Sequence, residues 1–401
     1  MTEPADLPQI DDLNVAGERV LVRSDLNVPL SDGRITDDLR IRAALPTLET
    51  LLNRSGRVAV CSHLGRPKGR EVEELRLAPV GKRLEELVGT KVEVLDEVVG
   101  DKAQAACEGD APIVLLENLR FDPREEQNDD GFAGALAGLA TAYVNDAFGA
   151  AHRAHASIVG VAQRLPAAAG LLLTDEVEKL ERLLHGPKHP FVAVLGGAKV
   201  SDKLSVIGNL LDRVDAICVG GAMAFTLLKA GGREVGRSMV EEDRVDEVAR
   251  VLKEAESKGV EILLPDDVVA AESPEEGAPH ETIPLNEIGD RMGVDIGPRT
   301  ATRFEDSITT ARTVLWNGPM GIFEIEAYSL GTKRVAEAIA RATRRGAYTV
   351  AGGGDSAAAL KQLDMTDAVS HLSTGGGASL ELLEGKELPG IAALRKRGAG
   401  A

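Results

Sequence analysis

The sequence predicts an α/β protein of two domains, each a parallel sheet with helices on both faces. Three observations carry this. Short runs rich in Val, Ile and Leu alternate with stretches of helical spacing, the pattern of repeated βα units. The alternation stops at an amphipathic helix near the middle of the chain and then starts afresh. The length, 401 residues, also exceeds the roughly 150 to 200 residues that one core usually serves.

The elements follow in order. Arg19-Val20-Leu21-Val22-Arg23 reads as a strand, and residues 37–52 carry Leu39, Ala43, Leu45, Leu48, Leu51 and Leu52 at helical spacing, with Arg40 in the first turns. A strand at 57–61 precedes the turn Ser62-His63-Leu64-Gly65-Arg66-Pro67. Helices near 80–88 and 101–107 separate strands at 91–95, 113–116 and 142–144. Residues 172–184 form an amphipathic helix that stops at His185-Gly186-Pro187. The second series opens with the strand 191–195, and Lys199 and Lys203 are expected on one face of the helix after it.

Composition narrows the class. Hydrophobic residues at 43% and charged residues at 27% are those of a globular chain, whereas aromatics are only 3%, so Ala, Val and Leu fill the core. A formal net charge of −18 opposes binding to nucleic acid or an anionic membrane. Cys61, Cys107 and Cys218 lack metal or disulfide spacing and suit a reducing compartment. Residues 1–12 carry no signal pattern, and the apolar region 157–173 is broken by Gln163, Arg164 and Pro166, short of the ~20 residues a bilayer span needs. A cytoplasmic enzyme is expected.

In the first half, basic and polar residues recur just after successive strands: Arg23, Asp25 and Asn27, then His63 and Arg66, then Asn118 and Arg120, then Asn145, His152, Arg153 and His155. The carboxyl ends of the strands of an open parallel sheet share one edge, where ligands bind. Cations converging there in an acidic protein imply a pocket for a small, multiply anionic metabolite. His152 and His155 lack a third ligand of metal-site spacing and are read as shaping that pocket.

In the second half the turns after strands are rich in glycine instead. They include Gly196-Gly197-Ala198-Lys199, Gly220-Gly221, Asn317-Gly318-Pro319-Met320-Gly321, Gly352-Gly353-Gly354-Asp355-Ser356 and Gly375-Gly376-Gly377. Backbone approaches a ligand closely only where Cβ is missing, and N–H groups at a strand-to-helix turn converge on anions. A dinucleotide site, as in an NAD-dependent dehydrogenase, needs an acidic residue roughly 20 positions further on, where Ser373, Thr374 and Gly375 stand. A Walker A loop is also missing. Lys199 and Lys203 can neutralise a phosphate chain and Asp355 can hold Mg²⁺ directly or through water, the parts phosphoryl transfer requires. The other alternative is a non-catalytic nucleotide-binding protein.

These residues together resemble the phosphoglycerate kinase family. The resemblance runs through Arg19 to Pro29, Ser62 to Pro67, Glu117 to Phe121, Gly196 to Lys203, Trp316 to Glu324, Gly352 to Ser356 and Ser373 to Ser379, in the family's order. It implies two Rossmann-like three-layer domains joined by a connecting helix and hinge, a monomer, and reversible transfer of the 1-phosphate of 1,3-bisphosphoglycerate to ADP, giving 3-phosphoglycerate and ATP with Mg²⁺. Residues 1–171 would bind phosphoglycerate, 172–185 would connect, 186–379 would bind nucleotide, and 380–401 would pack back on the first domain. Hinges are expected at the 172–184 helix and near Thr374. Asp25, Asn27, Arg40, His63, Arg66, Arg120 and Arg153 would hold phosphoglycerate. Lys203, Gly220, Gly221, Gly293, Asn317, Pro319, Glu324, Gly353, Gly354 and Ser356 would surround the nucleotide, with Asp355 serving the metal. Arg40, Lys199, Gly354 and Gly377 would meet the transferring phosphoryl group. Leu26, Ala222 and Ser356 depart from the family's usual Phe, Gly and Thr.

Overall fold

Arg19–Arg23 form strand β1 with all five side chains buried. A β-branched run covered on both faces belongs inside a parallel sheet. The flanking arginines are buried because their guanidinium groups are satisfied: Arg19 donates to the carbonyls of Cys107, Ala111 and Gly109 at 2.9, 2.8 and 2.8 Å. The computed structural model describes residues 7–398, and these form two compact units. One takes the chain up to Glu178 together with the segment from Glu387; the other is Lys179–Lys386.

In the first unit β1 is followed by a short hairpin, β2 (Leu30–Ser31) and β3 (Arg34–Ile35), and by α1 (Leu39–Ser55). Then come β4 (Arg57–Cys61), α2 (Ala78–Val88), β5 (Val92–Val94), α3 (Asp101–Glu108), β6 (Ile113–Leu115), α4 (Asp130–Ala137), β7 (Ala142–Asn145) and β8 (Ala167–Ala169). The sheet order is β5-β6-β4-β1-β7-β8, and every pairing is parallel. Arg23 is level with Cys61 on one side and Asn145 on the other, so the loops after β1, β4 and β7 leave from one edge. Val20, Val22, Val58, Val60, Leu48 and Leu84 are among the buried side chains on one face.

The helix α5 (Leu171–Leu184) spans the boundary. The second unit continues with β9 (Phe191–Leu195), α6 (Leu204–Leu210), β10 (Ala216–Val219), α7 (Met223–Ala230), α8 (Val245–Lys258), β11 (Glu261–Leu263), β12 (Asp267–Ala271), β13 (His280–Pro284) and β14 (Met292–Ile296). After these come α9 (Pro298–Thr310), β15 (Thr313–Asn317), α10 (Leu330–Arg344), β16 (Tyr348–Gly352), α11 (Gly354–Gln362), β17 (His371–Leu372) and α12 (Gly377–Leu383). Its main sheet, β11-β10-β9-β15-β16-β17, is parallel throughout, and the order in which strands are added reverses between β9 and β15. That is the doubly wound order, with its switch point between those two strands.

Three features depart from the sequence reading. A separate antiparallel sheet, β13-β12-β14, is inserted in the second unit. Lys199 and Lys203 precede α6 in a turn rather than sharing a helical face; Lys203 is the residue before its first turn. The return of the tail begins at Glu387 rather than 380: α12 stays with the second unit, where Asn209 Nδ2 donates to the Leu383 carbonyl at 2.6 Å. From there α13 (Pro389–Gly398) docks on the first unit through Gly390 N–H to the Ala151 carbonyl at 2.8 Å, with Ile391 and Leu394 buried. Residues 399–401 of the expected tail lie outside the described residues. No described helix is long and apolar enough to cross a membrane.

Asp146, directly after β7, caps the start of α5: its Oδ1 accepts from the Leu172 N–H at 2.9 Å, while Oδ2 is buried without a hydrogen-bond partner among the described residues. Burial pushes this carboxyl up to about 7, against the opposing hydrogen bonds of Thr47, Leu173 and Leu172. The folded state therefore holds a proton that the unfolded chain releases near the ordinary value of 3.8, so stability is full below that pH and falls as pH rises toward 7. A shift of about three units corresponds to about 4 kcal/mol. Asp146→Asn, a neutral mimic of the acid, is expected to gain on the wild type in urea midpoint as pH rises from 5 to 8; a constant difference across that range contradicts a protonated Asp146.

Candidate active site

The first unit gathers its polar residues at the carboxyl edge of the sheet. Asp25, buried just after β1, pairs with Arg40 in the first turn of α1. Burial opposes the charge on Asp25, but Arg40 foremost, with His63 and Arg23 after it, outweighs that and holds the carboxyl below its ordinary range. Gly149 backs this pair, since a Cβ there would run into the Asp25 carboxylate. Asn27 Oδ1 accepts from the Gly65 N–H at 2.9 Å, and Arg120 donates to the Gly65 carbonyl at 2.8 Å. The loops after β1, β4 and β6 are thus tied through one residue. Asn118 adds a second tie, accepting from the Leu64 N–H at 3.2 Å and donating to the Leu64 carbonyl at 2.8 Å.

His63 is buried, and burial pushes its imidazole well below the ordinary histidine value, with Asp25 pulling only partly the other way. Arg120 is lowered by burial too, and Arg153 lies near enough to act on it. His155 falls to about 3 through burial and the surrounding arginines. Arg66 is exposed and Arg153 half-buried, and among the described residues neither side chain makes a hydrogen bond or ion pair. Two uncommitted guanidinium groups beside a buried neutral histidine suit an anion rather than a metal, and no cluster of metal-ligating side chains occurs among the described residues.

In the second unit the loops leaving β9 and β15 cross at the switch point with backbone against backbone. Gly196 N–H donates to the Asn317 carbonyl at 2.9 Å and Gly197 N–H to the Pro319 carbonyl at 3.0 Å. A Cβ on Gly318 would lie 2.6 Å from the Gly196 carbonyl carbon, and one on Gly221 2.6 Å from the Gly197 nitrogen. Gly197 and Gly318 also take φ of 103° and 99°, a region L side chains rarely adopt. Three side chains lock the crossing: Trp316 Nε1 donates to the Gly318 carbonyl at 2.9 Å, Asn317 Nδ2 to the Gly352 carbonyl at 3.0 Å, and Ser356 Oγ accepts from the Gly318 N–H at 2.7 Å.

Two adjoining cavities open over these loops. The polar one, about 400 Å³, is lined by Lys199, Lys203, Asn317, the Gly353 to Ser356 turn, Gly377 and their neighbours. Gly353, at φ 91°, starts α11, whose first N–H groups have no carbonyl partner within the helix, the polarity that attracts phosphate. Lys203 is buried and lowered by that burial, with Asp202 and Asp355 supporting its charge. The second cavity, about 370 Å³, is mostly apolar and includes Gly221, Gly293, Pro319 and Glu324. Gly197, Ala198 and Asp355 belong to both walls.

A sequence profile described as phosphoglycerate kinase matches residues 10–386. The chain belongs to the phosphoglycerate kinase family. A phosphoglycerate kinase of Moorella thermoacetica is 54% identical over 391 residues, 97% of this chain and 99% of that protein. One of Rubrobacter xylanophilus is 54% identical over 394 residues, covering 98% and 99%. The solved structure of phosphoglycerate kinase from Coxiella burnetii superposes with a TM-score of 0.88 at 42% identity, over 98% of this chain and 99% of that one.

For a phosphoglycerate kinase, the sequence located most of the polar wall and little of the apolar one. Gly220 faces neither cavity; it is buried, and a Cβ there would press on Met320. Ser356 Oγ is spent on Gly318, so its hydroxyl braces the loop. Phe225, Met239, Pro265, Met292, Met320 and Ile322 line the apolar cavity without a sequence signal beyond the nearness of Met320 and Ile322 to the Gly318 turn. Phe225 packs on Gly293, where a Cβ would run into its ring. Arg23, Ser157 and Glu125 behind His63 were likewise missed as a group.

Gly196→Ala places a methyl 2.8 Å from the Gly318 carbonyl oxygen. Overpacking against backbone is expected to cost about 1 to 3 kcal/mol and to weaken ADP binding, with 3-phosphoglycerate affinity unchanged; calorimetric titration of both ligands checks the split.

Proposed function

We propose that the chain carries out the reaction of its family, reversible transfer of the 1-phosphate of 1,3-bisphosphoglycerate to ADP, by direct in-line displacement with the residues assigned below. The observation that carries the reading is the two-part cavity of the second unit. An apolar compartment suited to a base joins, at Asp355, a polar one walled by Lys199, Lys203 and the α11 N-terminus and suited to phosphates.

Asp25, Asn27, Arg40, His63, Arg66, Arg120 and Arg153 would hold phosphoglycerate. The pairing of Asp25 with Arg40 keeps that guanidinium oriented before a substrate arrives. Arg66 and Arg153 are the uncommitted charges for its phosphate. Lys199 is exposed and Lys203 buried, so Lys199 is the lysine free to follow the phosphoryl group while Lys203 neutralises a fixed phosphate. Arg40, Lys199 and the N–H groups of Gly354 and Gly377 would stabilise charge on the equatorial oxygens as they develop it. Glu324 would reach the ribose hydroxyls.

The donor set fits Mg²⁺. Asp355 is an exposed carboxylate on the phosphate-side wall, and Mg²⁺ is usually held by one or two carboxylates plus substrate phosphates rather than by an all-protein cage. When bound, the ion neutralises phosphate charge. Because each substrate is assigned to a different unit, transfer requires the units to bring the two together, and the 172–184 helix and the Thr374 region are proposed as the hinges.

A coupled assay with 3-phosphoglycerate, ATP and Mg²⁺, repeated without Mg²⁺, tests the function; no turnover would leave a nucleotide-binding protein. Lys199→Ala is expected to lower kcat by about 100-fold or more, as loss of one oxyanion donor does; near wild-type turnover removes its role. Arg120→Ala is expected to act on the KM for 3-phosphoglycerate by about 1.5 to 3 kcal/mol, the range for a charged hydrogen bond, with kcat less affected.

A further inference from the structure

Behind the anion-facing loops of the first unit runs a chain of buried polar groups whose donors and acceptors can be assigned by counting protons. Arg23 is 1% exposed, and its guanidinium offers only donors. Nη2 stands 3.0 Å from Nδ1 of His63, Nε stands 2.9 Å from Ser157 Oγ, and Nη1 meets the Ser24 carbonyl. Ser157 has a single hydroxyl proton, and Glu125 Oε1 lies 2.6 Å from its Oγ. The hydroxyl therefore accepts from Arg23 and donates to Glu125, whose Oε2 takes the Ser157 N–H at 2.9 Å. All of these side chains are buried, and the two ends, His63 and Glu125, are joined through Arg23 and Ser157.

We propose that Arg23 is a positioning residue for the reaction: anchored by Ser157 and Glu125, its guanidinium makes Nδ1 of His63 an acceptor and so fixes the imidazole as the tautomer that presents Nε2–H to phosphoglycerate. The inference rests on the assignment of His63 to phosphoglycerate binding. A proton on Nδ1 would set N–H against N–H at 3.0 Å, which a guanidinium cannot relieve. Among the described residues Nε2 has no hydrogen-bond partner, and it is not a sealed orphan atom, so it is the nitrogen a ligand can reach. The charged groups facing the ring are Asp25, Arg23, Arg120 and Arg40, and burial favours the neutral form among them. An imidazole held this way donates without changing its proton count when an anion arrives. It gains direction from Arg23 without adding a charge of its own.

The test is the protonation state of His63 in the free, full-length protein, read by long-range proton–nitrogen correlation on uniformly ¹⁵N-labelled chain at pH 7. The His63→Gln spectrum identifies its signals among the seven histidines. Expected are an unprotonated Nδ1 and a protonated Nε2; a proton on Nδ1, or on both nitrogens, overturns the proposal. Arg23→Met is expected to mix the tautomers and to raise the KM for 3-phosphoglycerate about tenfold, by analogy with loss of the partner that orients a ligating histidine, while the KM for ATP stays in place. An Arg23→Met protein that keeps the wild-type tautomer also overturns it. Arg23→Lys, which restores a cationic donor, is expected to return tautomer and KM together; recovery of KM with the tautomers still mixed would show a purely electrostatic role and defeat the proposal. If His63→Gln leaves the KM for 3-phosphoglycerate unchanged, the binding assignment fails, and the tautomer result shows separately whether Arg23 sets the ring.

Discussion

The second unit depends on two loops crossing with nothing between their backbones. Gly196 and Gly197 after β9 nest against Gly318 and Pro319 after β15 at the point where the strand order reverses. A side chain at Gly196, Gly318 or Gly221 would separate them. Because the loops cross this closely, the polar and apolar cavities adjoin along one line of backbone, and Asp355 can stand on both walls. Trp316, Asn317 and Ser356 then spend their hydrogen bonds on holding the crossing rather than on a ligand.

In the first unit the same edge of the same kind of sheet is organised by charge. Five groups there are mutually dependent, all of them buried except the partly exposed Arg40: Asp25, Arg40, Arg23, His63 and Glu125. Burial works against every ionised member, and their pairing offsets it. Asp25 stays ionised because Arg40 is beside it, whereas Glu125, hydrogen-bonded to one neutral hydroxyl and one N–H and 3.7 Å from His155 Nδ1, is raised by its burial. Removing any one member leaves another uncompensated, a larger effect than the worth of the pair itself.

The sequence was most legible where burial is on both faces. The strands at 19–23, 57–61 and 191–195 were read at the bounds the structure gives, because continuous Val, Leu and Ala runs between Gly or polar turns admit few other readings. The antiparallel sheet was missed for the opposite reason: His280–Pro284 exposes its first three residues and ends in proline, so neither alternation nor an apolar run marks it. Lys199 and Lys203 have helical spacing, but the glycines before them impose a turn first, and the two lysines end in different environments. The partnership of Arg23 with Ser157 spans 134 positions. Nothing local announces it, and the resemblance to the family supplied site residues but no account of what braces them.

The proposed division of labour gives phosphoglycerate to the cationic loops of the first unit and nucleotide to the glycine crossing of the second. Hydrogen–deuterium exchange with one ligand at a time measures this most directly. With 3-phosphoglycerate alone, protection is expected at residues 23–27, 62–66, 118–121 and 150–155, leaving 196–203, 317–321 and 352–356 unchanged; ADP with Mg²⁺ should reverse the pattern. Protection of the glycine loops by 3-phosphoglycerate alone, with the first-unit loops unaffected, would contradict it.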